Sequence, residues 1–169
     1  VSELLPDPCR NPFPIICGTS AGAINAASLA CFAGDFGQGV RYLQDVWGNF
    51  HAEQVYRADA LGIGASGLNW LSALMFGQPG FFAPRTAQDW LSPGTPVSYY
   101  ATDALEGTLE RLVDFDRINS KSSIRLSVGA VNVRTAQFAY FDSERVAIRP
   151  EHVMASGALP PAFPAVRVD

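Results

Sequence analysis

The pentapeptide Gly-Thr-Ser-Ala-Gly at positions 18–22 has the residue types and the spacing of a serine nucleophile on a sharp turn. The apolar run at 14–17 predicts a short buried strand before it, and the small-residue run at 21–30 predicts a helix after it. The N-terminus of that helix would place partial positive charge near an oxyanion formed at Ser20. The alternative is that Ser20 only caps the helix, because serine is a common N-cap residue.

The small residues around Ser20 favour a nucleophile elbow over a simple cap. Gly18 and Gly22 leave room for a strained turn and for close packing of the strand against the helix. A glycine turn that served the fold alone would not need a serine at its apex. The helix itself can lie close against a sheet because it carries Ala23, Ala26, Ala27 and Ala30.

Alternating strand and helix patterns in the rest of the chain predict an α/β fold with a mixed or mainly parallel sheet. Apolar spacing indicates helices at about 35–50 and 103–113, and Pro150 fits the first turn of a helix that ends near Gly157. The same patterns predict three strands, at 124–133, at 137–141 as its hairpin partner, and from 166 onward.

Polar residues at the helix starts predict how two of these helices begin. Asp35 and Gln38 have the spacing of a cap, and Asp103 and Glu106 have the spacing of a capping box. Apolar side chains at helical spacing then predict the buried faces, which for the first helix favours a core role over a ligand site. These side chains are Val40, Leu43, Val46, Trp47 and Phe50 in the first helix, and Leu105, Leu109 and Leu112 in the second.

Composition supports one globular domain over residues 1–169, which are 48% hydrophobic and 17% charged. A net charge of −4 provides no basic field for nucleic acid. The three cysteines are odd in number and lack metal-ligand spacing, so we interpret them as reduced thiols and predict no metal site. The sequence does not indicate an oligomeric state.

Residues 60–84 form an uncharged apolar segment that is broken by five glycines, too often for a membrane-spanning helix. Two interpretations stay open. The segment is either an irregular, partly buried insertion or a mobile cap that lines an acyl-chain pocket. The pocket would use Leu68, Trp70, Leu71, Leu74, Met75, Phe76, Phe81 and Phe82.

Three stretches of the chain, in order, resemble the bacterial patatin-like phospholipases. Residues 17–27, Cys-Gly-Thr-Ser-Ala-Gly-Ala-Ile-Asn-Ala-Ala, resemble the nucleophile segment of that family. Residues 103–115 resemble the middle of its larger members, and residues 154–164 resemble the segment just before its catalytic aspartate. The resemblance therefore extends from about residue 14 to the end of the chain.

The resemblance implies an α/β sandwich with a mixed, mainly parallel sheet between helices. It implies a serine lipid acyl hydrolase in which Ser20 attacks an ester, an aspartate takes its proton, and the Ser–Asp dyad works through an acyl-enzyme. The Ala21 backbone amide would help to hold the oxyanion. The expected substrates are lipids or other acyl esters, with no metal or other cofactor. The expected location is the cytoplasm or the periphery of a membrane.

Two signatures of the family are missing from this sequence. A glycine-rich loop does not precede Ser20, and no Asp-Gly pair follows it. We therefore expect residues 1–169 to be a fragment, incomplete at both ends, with little hydrolase activity alone. The catalytic aspartate is expected beyond the C-terminus, and Asp169 is the less favoured candidate within the chain.

A Ser–His–Asp esterase of the α/β-hydrolase type is the alternative enzyme. His152 follows the serine, as the chain order of that class requires, and its orienting partner would be Asp103, Asp114, Asp116 or Asp142. We favour the dyad, because a histidine at the start of a short helix is more often a capping or solvated residue, and His51 has no supporting context. In a third interpretation the domain is not catalytic, and the elbow survives only as a fold element.

Overall fold

The computed structural model describes residues 5–7, 9–59, 80–91, 98–120 and 124–168, and within 49–59 it describes only the backbone. Its strands are β1 (Ile15–Thr19), β2 (Ala83–Pro84), β3 (Tyr100–Ala101), β4 (Arg125–Asn132) and β5 (Gln137–Asp142). Its helices are α1 (Ala21–Ala30), α2 (Phe36–Asp59), α3 (Ala87–Leu91), α4 (Asp103–Leu112), α5 (Phe115–Asn119) and α6 (Pro150–Gly157).

The main sheet is mixed and has the strand order β1-β4-β5. Strand β1 runs parallel to β4, and its last residue, Thr19, is in register with Gly129. Strand β5 returns antiparallel to β4 through the turn at 133–136, where the sequence predicts a hairpin. The parallel pair with its helices confirms the predicted α/β class. It also places the carboxyl ends of β1 and β4 at one edge of the sheet, where Ser20 follows β1.

Helices α1 and α6 pack on one face of this sheet, α4 packs against α6, and together they enclose the core. Alternate residues of β4, such as Leu126 and Val128, are fully buried against them. On the opposite face, large apolar side chains are at least half exposed. These are Ile15, Val131, Phe138 and Tyr140. No described helix covers this face of the sheet. The expectation that β1 is a buried strand is therefore wrong for the side of β1 that carries Ile15.

Helix α2 begins as predicted and ends later than predicted. The Asp35 carboxylate accepts a hydrogen bond from the Gln38 N–H at 2.9 Å, which confirms the cap. The helix continues to Asp59 instead of ending near Phe50. The predicted end followed the loss of the apolar stripe, but residues 51–59 contain no glycine or proline that would stop a helix.

Helix α4 starts at the predicted residue but has a different cap. Thr102 is its N-cap and makes no side-chain capping hydrogen bond, so the predicted capping box of Asp103 and Glu106 is wrong. Both carboxylates still lie in the first turn, where they complement the helix dipole. Leu109 is fully buried, and its predicted partners Leu105 and Leu112 pack against the same core.

The remaining predictions differ in how well they locate element ends. Helix α6 has the predicted bounds, and α1 covers the small-residue run at 21–30 and ends before a turn at 31–34. The predicted strand from residue 166 is wrong, because residues 166–168 are not assigned to any of the described strands. The proline-rich turn before it is held instead by β3, since the Tyr100 N–H donates to the Ala162 carbonyl at 3.0 Å.

Candidate active site

Ser20 occupies the turn between the end of β1 and the start of α1. Its backbone has φ 56° and ψ −125°, a conformation that residues with a side chain rarely adopt. A conformation of this kind costs about 1–3 kcal/mol and persists only where the surroundings impose it. Ser20 occupies the N-cap position, but its side chain makes no capping hydrogen bond. The hydroxyl is therefore not used to cap α1, which removes the support for the capping interpretation.

The two glycines of the pentapeptide have different roles in this turn. A Cβ on Gly18 would collide with the Gly22 carbonyl group and would lie 2.7 Å from the Ala23 nitrogen. A Cβ on Gly22 would meet no atom within 4 Å. Close packing of strand against helix thus requires glycine at position 18, and space alone does not require it at position 22.

A side chain that is hydrogen-bonded to β4 also holds the Ser20 backbone. The Ser20 N–H donates a 2.8 Å hydrogen bond to the hydroxyl oxygen of Ser156, on α6. The same hydroxyl donates a 2.5 Å hydrogen bond to the Gly129 carbonyl, in β4. One buried side chain therefore links the elbow, the central strand and the last described helix.

The N-terminus of α1 lies directly after Ser20, and its first amide group points to a role beside the serine. The Ser20 carbonyl accepts the N–H groups of Ala23 and Ile24, at 2.9 and 3.4 Å. Within the described part of the chain, the Ala21 N–H has no acceptor. An unpaired N–H at a helix N-terminus is suited to stabilise negative charge. The predicted oxyanion role of Ala21 is compatible with this arrangement.

Ser20 lies at an apolar cavity of about 220 Å³. Trp47, on α2, forms part of its wall, and the indole N–H donates a 2.7 Å hydrogen bond to the Asn25 side-chain oxygen. The other residues that line the cavity are mostly apolar. They are Ala21, Ile24, Phe81, Phe82, Thr102, Leu105, Val153, Met154, Gly157, Ala158, Phe163, Pro164 and Val166.

The comparison with protein families identifies the chain at this point. The family model described as patatin-like phospholipase matches residues 3–169. The chain belongs to the patatin-like phospholipase family. Comparisons with curated proteins and with solved structures gave no significant match. Membership indicates a lipid hydrolase family and lipid substrates, in agreement with an apolar cavity beside an elbow serine.

In this patatin-like chain, His152 has a structural role at the start of α6. Its Nδ1 accepts a 2.9 Å hydrogen bond from the Arg149 N–H, and its ring lies 4.5 Å from the ring of Phe141. The side chain is 3% exposed, and burial lowers the pKa of His152 below its usual value. It therefore caps the helix, as one interpretation expected, but it is not solvated. No hydrogen bond joins His152 to Ser20 among the described residues.

Among the described side chains, no hydrogen bond joins any other triad candidate to Ser20. Asp142 forms an ion pair with Arg125, 2.9 Å away, and Arg125 begins β4 at the end opposite the elbow. Asp114 caps α5 through the Arg117 N–H, and Asp103 and Asp116 are exposed. His51 belongs to the part of α2 described only by its backbone, and Asp169 lies outside the described residues.

A metal-binding cluster and a membrane-spanning helix are both absent from the described ranges. Within them, no three His, Cys, Asp or Glu side chains are grouped so that they could hold a metal ion. The helices in those ranges also include none with the length and apolar character needed to cross a membrane. Of the predicted pocket residues, Phe81 and Phe82 line the Ser20 cavity, and Leu68, Trp70, Leu71, Leu74, Met75 and Phe76 lie outside the described residues.

Sequence reasoning missed two residues of this site. Trp47 was assigned to the core because its apolar spacing matched a buried helix face, although it also lines the cavity. Ser156 lies within the segment 154–164 that resembles the family, but no role was predicted for it. The available signal was a small polar residue near the end of a predicted short helix, shortly before a proline-rich turn.

Proposed function

We propose that this protein is a serine lipid acyl hydrolase in which Ser20 is the nucleophile. The observation that carries the proposal is the backbone of Ser20, which holds a strained conformation between β1 and α1. A serine that served only as a cap would use its hydroxyl on the helix, and Ser20 does not. Its position at an apolar cavity and the family match support a lipid ester as substrate.

The reaction follows from this arrangement. A base takes the proton of the Ser20 hydroxyl as its oxygen attacks the ester carbonyl carbon, and a tetrahedral oxyanion forms. The Ala21 N–H and the N-terminus of α1 stabilise that oxyanion. The C–O bond to the alcohol then breaks, and the alcohol leaves with the proton. The base then takes a proton from water as the water oxygen attacks the acyl-serine. The bond to the serine oxygen breaks, that oxygen takes back a proton, and the fatty acid leaves.

The base in this proposal is an aspartate, so that Ser20 works in a Ser–Asp dyad. His152 is a poor base for Ser20, because its Nδ1 already accepts the Arg149 N–H and burial disfavours its protonated form. Among the described aspartates, Asp142 is held by Arg125. Asp169 is the less favoured candidate that the given sequence itself offers for this base.

The cavity determines which part of the substrate lies next to Ser20. Its walls are largely apolar, and each buried methylene contributes about 0.8 kcal/mol. The acyl chain therefore occupies the cavity, and the polar head group stays outside it. Phe81 and Phe82, which are described residues of the predicted 60–84 cap, line this cavity.

The test is ester turnover by the full-length protein and its Ser20→Ala variant, with p-nitrophenyl acyl esters and phospholipid vesicles as substrates. Turnover should fall by several powers of ten, because the covalent step needs the hydroxyl. A fluorophosphonate probe should label the wild type at Ser20 and leave the variant unlabelled. Ser120→Ala, which changes an exposed serine after α5, is the matched control and should keep full turnover. A folded Ser20→Ala protein with unchanged turnover would refute the proposal.

A further inference from the structure

The side chain of Ser156 is a buried bridge between two backbone groups that are distant in sequence. Its oxygen accepts the Ser20 N–H at 2.8 Å, and its hydroxyl hydrogen is donated to the Gly129 carbonyl at 2.5 Å. Ser156 and Ser20 are 136 residues apart, and Ser156 is 9% exposed. The side chain is thus satisfied as donor and acceptor by the backbone alone.

This bridge stands where β1 and β4 separate. The last pair in register is Thr19 and Gly129, and the next residue, Ser20, turns away from the sheet with φ 56°. Past this pair, the Ser156 hydroxyl stands between the Ser20 N–H and a β4 carbonyl. The Ser156 hydroxyl thus takes the place of the next direct backbone hydrogen bond between the two chain segments, at the residue where the elbow begins.

We infer that Ser156 is a positioning residue that holds the Ser20 backbone in its strained conformation. This inference rests on the proposed role of Ser20 as nucleophile. Ser156 does not line the cavity, although its neighbours Met154 and Gly157 do, so it acts through Ser20 and not on the substrate. A strained residue relaxes when the contacts that impose its conformation are removed. Without the Ser156 hydroxyl, the Ser20 turn relaxes and its oxygen moves away from the attack position.

The experiment compares serine variants of the full-length protein with p-nitrophenyl esters and a fluorophosphonate probe. Ser156→Ala should lower kcat roughly ten- to hundredfold, because a misplaced nucleophile slows the covalent step. KM should stay near the wild-type value, since the cavity wall is unchanged. Labelling of Ser20 by the probe should slow in parallel with kcat. Ser156→Thr keeps a hydroxyl at this position and should restore most of the rate.

Ser143→Ala is the matched control, because Ser143 follows β5 and binds the backbone at the other end of β4. The Ser143 hydroxyl accepts the Leu126 N–H at 3.0 Å, so this variant also removes a serine-to-backbone hydrogen bond from β4. It should lower the melting temperature slightly and leave kcat unchanged. If Ser156→Ala does not fold, Ser156→Cys, which is close in size and a weaker hydrogen-bonding group, supplies the measurement and should also lower kcat.

Several results would overturn the inference. A wild-type kcat in folded Ser156→Ala or Ser156→Cys would do so, as would a higher KM at unchanged kcat. An equal loss of kcat in Ser143→Ala would show a general stability effect. A failure of the proposed function has a different signature, because Ser20→Ala would then retain turnover. Loss of turnover in Ser20→Ala with full turnover in Ser156→Ala refutes the role of Ser156 alone.

Discussion

Substitution of the two elbow glycines by alanine should have clearly different effects on stability. At Gly18 the added methyl would collide with the Gly22 carbonyl group and would lie 2.7 Å from the Ala23 nitrogen. These neighbours are backbone atoms, so no side chain can rotate to make room. Either β1 or the first turn of α1 must move. At Gly22 the methyl would meet nothing within 4 Å.

The expected magnitudes follow from these contacts. Overpacking in a well-packed interior costs about 1–3 kcal/mol, and a clash with backbone falls in the upper part of that range. Gly18→Ala should therefore lower the free energy of unfolding by roughly 2–3 kcal/mol. Gly22 lies in the first turn of α1, where alanine is favoured over glycine by up to about 1 kcal/mol. Gly22→Ala should be neutral or stabilising.

The assay is denaturant unfolding of both variants and the wild type, combined with ester turnover. Gly18→Ala should also lower kcat, because a displacement of about 1 Å at the nucleophile can cost a hundredfold in rate. Equal stability of the two variants would refute the close approach of β1 and α1 at the elbow. A destabilised Gly18→Ala protein with full kcat would separate the packing of the turn from the placement of Ser20.

Two further predictions concern residues near the site. The native pKa of His152 is lowered by burial, so its contribution to stability is complete above about pH 6.5 and is lost as the pH falls through the native pKa. The unfolding free energy should therefore drop less between pH 7 and pH 5 in His152→Gln than in the wild type, and equal drops would contradict the buried neutral ring. Trp47→Ala should widen the cavity and shift kcat/KM toward bulkier acyl chains by roughly tenfold. An unchanged preference across a series of p-nitrophenyl esters would show that Trp47 does not meet the acyl chain.

The sequence predicted best the features that depend on neighbouring residues. The elbow was located because small residues and a strand-to-helix change surround Ser20 within about ten positions. The bounds of α6 were correct because Pro150 starts that helix and Gly157 ends it. Where local signals were incomplete, the ends were wrong. Helix α2 continues past the end of its apolar stripe, and the N-cap of α4 is Thr102 where Asp103 was predicted.

The features that escaped prediction depend on contacts between distant parts of the chain. Nothing near Ser156 indicates that it meets Ser20, because the two come together only when α6 packs at the end of β4. Trp47 has the spacing of a core residue, and only the tertiary arrangement places it in the wall beside the elbow. Periodicity identifies which face of a helix is buried, but it does not identify what that face meets.

The geometry of Ser20 thus depends on two restraints that lie on different elements. On one side, Gly18 lets β1 and the first turn of α1 approach so closely that the chain must turn sharply at Ser20. On the other side, the Ser156 hydroxyl ties the Ser20 N–H to β4 and keeps the turn anchored to the end of the sheet. The first restraint is local and is visible in the pentapeptide. The second comes from α6, so in our proposal the reactive position of the serine requires the helix that precedes the proline-rich turn as much as the pentapeptide itself.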